Sequence, residues 1–448
     1  MTARIMIAGT GSNSGKTSFT VGILAALRRR GLRVQAFKVG PDFIDPSHHL
    51  AASGRPSVNL DAFFHGRRLV LQLLQDYMAD ADVGIVEGVM GLFDGRGSGR
   101  SLASSSAEMA RWTRTPVLLV VDASGMAGSA AAVVKGYAGF SRGVHIAGVL
   151  VNRVGSERHY RLIADALAAH GLPPAVGYLS QEKAWQRPSR HLGLVPSLEL
   201  DDMPGYLDRL GRAVEETVDL DCILHLAQTA DPLPEPPLPR PATPMPRVTV
   251  AYAYDAAFHF YYTAGLRALQ ELGAHLVPFS PLAGEDLPPG TQALLLGGGF
   301  PELYAEELAS RTTPIAAIRA FDGPIYAECG GMMYLARSLT LADGRKIPML
   351  GRVPADVAMQ ERLQALGYGE AQMLVASILG PAGTALRGHE FHWSSLSAGS
   401  PFAMEVRRIG RAPLVDGFAG RRLLASYFHI DFAANRRAAR SFLEAAGR

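Results

Sequence analysis

Only two of the 448 residues are cysteine, Cys222 and Cys329, so no disulfide framework braces this chain. That scarcity fits a reducing compartment, and a cytoplasmic protein is the expectation. An excess of one charge is also lacking: 44 Lys and Arg face 41 Asp and Glu, a formal net of +3. Such a balance has no basic footprint of a nucleic-acid binder, so any attraction for anions must be local. Long apolar runs are missing too. Gly, Ser or a charge interrupts each one short of the roughly 20 residues that span a bilayer. Residues 1–8 run straight into a strand pattern, without the charged start, apolar stretch and cleavage site of a signal peptide. Neither nucleic acid nor membrane is therefore expected as a partner. What remains is ordinary for a globular protein, 48% hydrophobic and 19% charged, at a length that favours two or three domains.

Proline is dense in one place, residues 231–246, Asp-Pro-Leu-Pro-Glu-Pro-Pro-Leu-Pro-Arg-Pro-Ala-Thr-Pro-Met-Pro. Such a run cannot join a helix interior or a central strand, and it reads as a semi-rigid spacer between a domain over 1–230 and another over 247–448. In the first part, runs at 5–8, 34–38, 83–87, 117–122 and 146–152 are apolar throughout, as strands covered on both faces should be. Helical patterns alternate with them, for example 17–30 with Gly31 as a stop signal. After the spacer the alternation recurs, with strands expected at 248–252, 275–279, 293–296 and 325–327. Two tandem α/β domains with mostly parallel sheets are the expected fold class.

The first expected strand ends in Gly9-Thr10-Gly11-Ser12-Asn13-Ser14-Gly15-Lys16-Thr17-Ser18. A glycine-rich loop between strand and helix lets backbone N–H groups wrap a phosphate chain. The lysine reaches the outer phosphates, and the threonine hydroxyl can bind magnesium. Gly11 to Ser18 are thus the expected ATP-binding residues. The spacing is unusual, since Thr10 stands where the common pattern has its first glycine, and it resembles the loop of dethiobiotin synthetase. Ligands gather at the carboxyl ends of parallel strands. That places Lys38, Asp42 and Asp45 of one strand end, and Glu87 and Asp94 of another, beside the phosphates. A carboxylate closing an apolar strand, as Glu87 does, is costly to bury unless it is paired or binds metal. Thr17, Asp42 and Glu87 are the metal candidates, and Asn59-Leu60-Asp61 adds a further acidic one.

The run Ile325-Tyr326-Ala327-Glu328-Cys329-Gly330-Gly331 reads as strand, sharp turn, helix, with cysteine at the turn. It resembles a nucleophile elbow carrying sulfur. Gly298 and Gly299, with the amide of Gly330, suit an oxyanion hole. A histidine base is expected at His429, ending a strand-like run, with Asp431 two residues on. Cys222, in the amphipathic pattern 206–227, is expected to be structural.

Taken together, Gly-Pro-Asp-Phe-Ile-Asp-Pro (40–46), Asn-Leu-Asp (59–61), Glu-Gly-Val-Met-Gly-Leu-Phe-Asp-Gly (87–95), Gly-Gly-Gly-Phe-Pro-Glu (297–302), Ala-Glu-Cys-Gly-Gly (327–331) and Gly-His-Glu-Phe-His (388–392) resemble the cobyrinate and hydrogenobyrinate a,c-diamide synthases, over nearly the whole chain. The resemblance implies amidation of the a and c acetates of a corrin ring, using ATP, magnesium and glutamine. It implies a dethiobiotin-synthetase-like N-terminal domain and a class I, flavodoxin-like amidase domain. It implies adenine contacts from Asn152 and around Pro196, the corrin carboxylate near Asp45, Lys38 near anionic groups of the substrate, and Asp42 and Asp94 in the substrate site. The partners expected are thus a corrinoid carboxylic acid, glutamine and ATP, with a homodimer as the assembly to test. Where relatives often carry His-x-His, this chain has His429-Ile430-Asp431, and Asp431 falls where glutamine amidases with a full triad carry glutamate, which implies that it orients His429.

Three other readings share some of these features. Cobyric acid synthase has both domains without the Gly-Pro-Asp-Phe-Ile-Asp-Pro segment. A related diamide synthase acts on nickel-sirohydrochlorin. A switch ATPase of the chromosome-partitioning type would carry an inactive amidase domain, against which Cys329 and His429 argue.

Overall fold

The computed structural model describes residues 3–97, 99, 101–181, 189–190, 193–234, 246–397 and 402–447. Of the proline-rich segment, residues 235–245 lie outside those described. The chain divides into two compact units, Met1–Pro239 and Arg240–Arg448.

Seven parallel strands form the sheet of the first unit: β1 (Arg4–Gly9), β2 (Val34–Val39), β3 (Val58–Leu60), β4 (Val83–Gly91), β5 (Val117–Asp122), β6 (Ile146–Val154) and β7 (Ala175–Ser180). Their spatial order is β3-β2-β4-β1-β5-β6-β7. Every residue of β1 and β2 is buried, which is why these strands show no alternation in sequence. β1 and β4 lie side by side with Ile7 opposite Glu87, so the glycine-rich loop leaving β1 and the carboxylate on β4 emerge together. Three helices matter to the site: α1 (Lys16–Arg29), α2 (Ile44–Ser53) and α3 (Ala62–Met78). Gly22 of α1 faces the helix Met203–Thr217 so closely that a Cβ there would lie 2.5 Å from Val214. The amphipathic pattern 206–227 is two helices, because Val218 leaves the helical conformation and bridges Gly177. Cys222 lies half-buried on the second of them, Leu220–Gln228, and burial raises its thiol. A short ribbon joins β8 (Ser189–Arg190) and β9 (Gly193–Leu194).

The second unit has a ten-stranded sheet. Its parallel part is β10 (Val248–Ala253), β11 (Ala274–Phe279), β12 (Ala293–Leu296), β13 (Ile325–Glu328) and the late strand β22 (Leu423–Ser426). A four-stranded sheet of β14 (Ser338–Thr340), β15 (Lys346–Pro348), β16 (Asp356–Met359) and β19 (Ser394–Leu396) flanks it. The large sheet continues antiparallel through β21 (Leu414–Ala419), β20 (Phe402–Arg408), β17 (Ala365–Met373), β18 (Ala385–His392) and β23 (His429–Ile430). That antiparallel half was absent from the sequence reading. Among the described residues no helix is long and apolar enough to cross a membrane.

Candidate active sites

The glycine-rich loop is held in shape by its own unit. Asn13 and Gly15 take left-handed backbone, with φ of 61° and 102°. At Gly15 a Cβ would meet the Asn152 amide nitrogen at 2.0 Å, so only glycine fits. Asn152 donates to the Ser14 carbonyl at 2.8 Å, and Tyr137 donates to the Thr10 carbonyl at 2.6 Å. Asn152, expected at the adenine, is thus seated against the loop. Lys16 starts α1 and donates back to the Gly11 carbonyl at 2.9 Å. Burial and the neighbouring Lys38 ammonium lower its pKa to about 8, although Glu87, Asp45 and Asp94 oppose them. A polyphosphate would restore the charge. Ser14 is buried with its hydroxyl oxygen unpartnered, a donor ready for a ligand.

Behind the loop lies a buried cluster of charge. Glu87 is fully buried, accepting from Thr17 Oγ1 at 2.7 Å, from Lys38 Nζ at 2.9 Å and, through its other oxygen, contacting His49 Nε2 at 2.7 Å. Burial alone would raise this carboxyl, but the Lys38 ammonium and the His49 hydrogen bond hold it well below the usual range. Lys38 also donates to Asp45 at 2.5 Å and lies 3.8 Å from Asp42. Burial works against its charge, yet Asp45, Glu87 and Asp42 outweigh that and keep it protonated. One ammonium among three carboxylates leaves surplus negative charge. Burial and Asp42 accordingly push Asp45 well above the usual carboxylate range.

Several expected residues have definite local work. Asp42 Oδ1 accepts from the backbone of Ile44 and Asp45, capping the start of α2. Asn59 donates to the carbonyls of Gly40 and Asp42 and so fixes the 40–46 loop. Asp61 caps α3 by accepting from Phe63 and Phe64, a structural role rather than a further acid of the site. Asp94 accepts from the Gly91 amide in a turn packed against Gly11. Lys38, expected near anionic groups of the substrate, is buried among Asp42, Asp45 and Glu87. Pro196 is far from the loop in sequence, but Val195 and Ser197 on either side bond α2 through His48 and Ser47.

In the second unit Cys329 sits between β13 and the helix Gly330–Leu335 with φ 44° and ψ −102°. A non-glycine residue held there costs about 1–3 kcal/mol, and such strain is typical of a nucleophile turned out of its strand. The elbow closes on the glycine run. Gly331 donates to the Gly297 carbonyl at 3.0 Å, and a Cβ at Gly330 would lie 3.0 Å from the Gly299 amide nitrogen. Gly298 is as tightly placed, since a Cβ there would lie 2.7 Å from His429 Cε1. The backbone at Gly298, Gly299 and Gly330 therefore packs closely, with Gly298 beside His429 and Gly330 next to the cysteine.

His429 is buried, and its Nδ1 lies 3.1 Å from Glu328 Oε2. Glu328 Oε1 in turn accepts from the Tyr326 hydroxyl at 2.7 Å and from the Ile430 amide at 3.1 Å. Burial would lower the imidazole, but hydrogen bonds to Cys329 and Glu328 raise it to about 10. Asp431 is the acid expected to orient this ring. It is fully buried in the turn after β23, and its Oδ1 accepts from the Ala433 amide at 2.8 Å. The carboxylate seen at Nδ1 is that of Glu328, the residue before the cysteine, at the end of β13.

Comparison with known proteins finds a match for each unit. Residues 5–195 match the CobQ/CobB/MinD/ParA nucleotide binding domain, and residues 249–437 match the CobB/CobQ-like glutamine amidotransferase domain. A cobyrinate a,c-diamide synthase of Syntrophotalea carbinolica is 47% identical over 98% of both chains. Proteins of the same name from Listeria monocytogenes and Priestia megaterium are 42% and 39% identical, over 96% and 98% of this chain and 97% and 96% of theirs. The chain belongs to the cobyrinate a,c-diamide synthase family.

It is accordingly a glutamine-dependent, ATP-using carbon–nitrogen ligase of cobalamin biosynthesis. In this synthase, residues unnoticed in the sequence now have places. His49 of α2 supports Glu87 from 38 residues away. His389, opposite His429 in the β18–β23 pairing, stacks on it with ring centroids 5.0 Å apart and bonds the Tyr262 hydroxyl at 3.2 Å. His392 stacks on Tyr427 at 3.8 Å. The Gly-His-Glu-Phe-His run was the one available signal for the two histidines of β18, and nothing marked His49.

Gly298 offers a direct check on the amidase geometry. Gly298→Ala should push the His429 ring and cost roughly a hundredfold in glutamine hydrolysis, a typical loss for a displacement of about 1 Å. Ammonia-driven synthesis should stay near its original rate. Parallel assays of glutamate release and of ammonia-supported product formation read both.

Proposed function

We propose that this synthase amidates the a and c acetate carboxylates of cobyrinic or hydrogenobyrinic acid through an acyl phosphate, with glutamine as nitrogen donor. The observation that carries the reading is near-full-length identity, across both catalytic units, to proteins named cobyrinate a,c-diamide synthase.

In the second unit, Cys329 Sγ attacks the glutamine amide carbon while the amides of Gly298, Gly299 and Gly330 hold the oxyanion. His429 passes a proton to the nitrogen as the carbon–nitrogen bond breaks, releasing ammonia and leaving a thioester. Water then attacks the thioester with His429 as base, freeing glutamate and the thiol. In the first unit, a substrate carboxylate oxygen attacks the γ-phosphorus of ATP and ADP leaves. Ammonia displaces phosphate from the acyl phosphate to form the amide. Gly11 to Ser18 cradle the phosphates, and Lys16 neutralises charge as it builds on the transferring group. Asp45, with its raised pKa, lies where the reacting carboxylate is received, and Lys38 holds it there. Asn152 and the segment around Pro196 are the proposed adenine side, and Asp94 lies toward the substrate.

Magnesium fits the residues present. Thr17 Oγ1 and Glu87 Oε1 stand side by side at 2.7 Å, and Asp42 keeps its Oδ2 off the helix cap. Among the described residues no group of three or more His, Cys, Asp or Glu forms a cage for a metal. A hydroxyl and one or two carboxylates, completed by phosphate oxygens, is the usual company of this ion. Bound there it would supply charge neutralisation at the phosphates. A cytoplasmic homodimer is the proposed state.

The test is ATP turnover with glutamine against cobyrinate, hydrogenobyrinate and nickel-sirohydrochlorin, with mass spectrometry of the products. A diamide from either corrin is the expected result. Amidation of nickel-sirohydrochlorin alone would overturn the corrin assignment.

A further inference from the structure

We infer that Glu328 is the positioning residue of the amidase site, holding the His429 ring so that its other nitrogen faces Cys329. This rests on the glutaminase half of the proposed function and not on which tetrapyrrole is amidated.

The geometry is closed on every side. An ionised carboxylate only accepts, so the 3.1 Å contact from Glu328 Oε2 to His429 Nδ1 fixes the proton on Nδ1. Nε2 is left as the base toward sulfur. The Tyr326 hydroxyl and the Ile430 amide hold the opposite oxygen, so the carboxylate cannot rotate away without losing two hydrogen bonds. Burial and Glu328 itself keep the Tyr326 phenol protonated as a donor. The Ile430 bond also ties the acid to the backbone of the strand that carries the base. Glu328 is buried, as is His429, so the pair is screened little by water. Asp431, by contrast, spends Oδ1 on the Ala433 amide. The triad therefore draws two of its members from adjacent positions, 328 and 329. The elbow at Cys329 separates their side chains and returns them to the two ends of one imidazole.

Other groups face the ring and must be told apart from Glu328. Cys329 is on the elbow; His389, Glu390 and His392 come from β18, Asp416 from β21 and Asp431 from the following turn. His389 stacks on the ring, and burial, then the His429 charge, hold it neutral, so it does not supply the anion. Burial and Asp416 raise Glu390 to about 7, and burial raises Asp416 to about 6. Their titration falls below the alkaline limb that His429 governs.

The experiment is steady-state glutamine hydrolysis across a pH series for the unaltered enzyme, Glu328→Gln, Glu328→Asp and Asp431→Asn, with thermal melting of each. Glu328→Gln is expected to lose roughly 10²- to 10⁴-fold in kcat. Its alkaline limb should move toward acid by roughly one to three pH units, because an anion that favoured the imidazolium is gone. A packing defect alone would lower the rate without moving the limb. Glu328→Asp keeps the charge one methylene further back, so a smaller loss and a smaller movement are expected. Asp431→Asn should leave the limb in place. An unmoved limb in folded Glu328→Gln overturns the assignment, and so does a limb that follows Asp431→Asn. Should Glu328→Gln not melt as a folded protein, Glu328→Asp decides, and unchanged rate and limb there overturn it. Glutamate release in the absence of any tetrapyrrole is the readout, so a wrong substrate assignment leaves this result intact.

Discussion

Cys329→Ala is expected to abolish amidation from glutamine while leaving amidation from added ammonia near its original rate. The thiol is the only nucleophile at the elbow; the other cysteine, Cys222, lies on a helix of the first unit. Loss of a covalent nucleophile removes the whole thioester route, and comparable deletions cost on the order of 10⁴- to 10⁶-fold. Ammonia needs none of that chemistry, because in the proposed mechanism the carboxylate is activated by residues of the first unit. The measurement is product formation with glutamine and with an ammonium salt, at a pH where free ammonia is appreciable. Equal loss of both activities would end the two-site account. Unchanged glutamine use would place the nucleophile elsewhere.

The opposite pattern is expected for Lys16→Ala and Glu87→Gln, which should abolish synthesis from either nitrogen source while glutamine hydrolysis persists. Removing a placed cation from a phosphoryl-transfer site typically costs several kcal/mol, roughly a thousandfold or more in rate. The two variants should differ in stability. Lys16 starts a helix and makes one bond to its own loop, so its loss leaves the core intact. Glu87 is the shared partner of Thr17, Lys38 and His49, and all of it is buried. Its amide still fills the space but leaves Lys38 with a weaker partner, so a lower melting temperature should accompany the lost turnover. Turnover near the original rate in either variant would remove that residue from the site.

Much of this was readable because the chemistry is local in sequence. A phosphate loop needs its glycines, lysine and threonine in one unbroken run, and a strand before them and a helix after. The elbow likewise needs cysteine flanked by residues that permit a sharp turn, and Gly330 and Gly331 supplied them. The contact between Glu328 and His429 was not legible, for a matching reason. The resemblance to amidases with a full triad favoured Asp431, two residues from His429. Glu328 sits next to the nucleophile, where strand alternation would send neighbouring side chains to opposite faces. Only the strained φ of 44° at Cys329 breaks that rule.

By itself, then, the sequence determined the two tandem α/β units, the glycine-rich loop and the cysteine elbow, since each is written in a contiguous segment. The tertiary structure alone decided which charges meet. Lys38, Glu87 and His49 come from β2, β4 and α2, and they converge because β2 and β4 are neighbours in the sheet with Lys38 opposite Glu87. Glu328 and His429, 101 positions apart, meet because β13 pairs with β22, which sets Glu328 opposite Ser426, shortly before His429. A buried charge is tolerated only beside its partner, and sheet order, rather than distance along the chain, sets which partner that is.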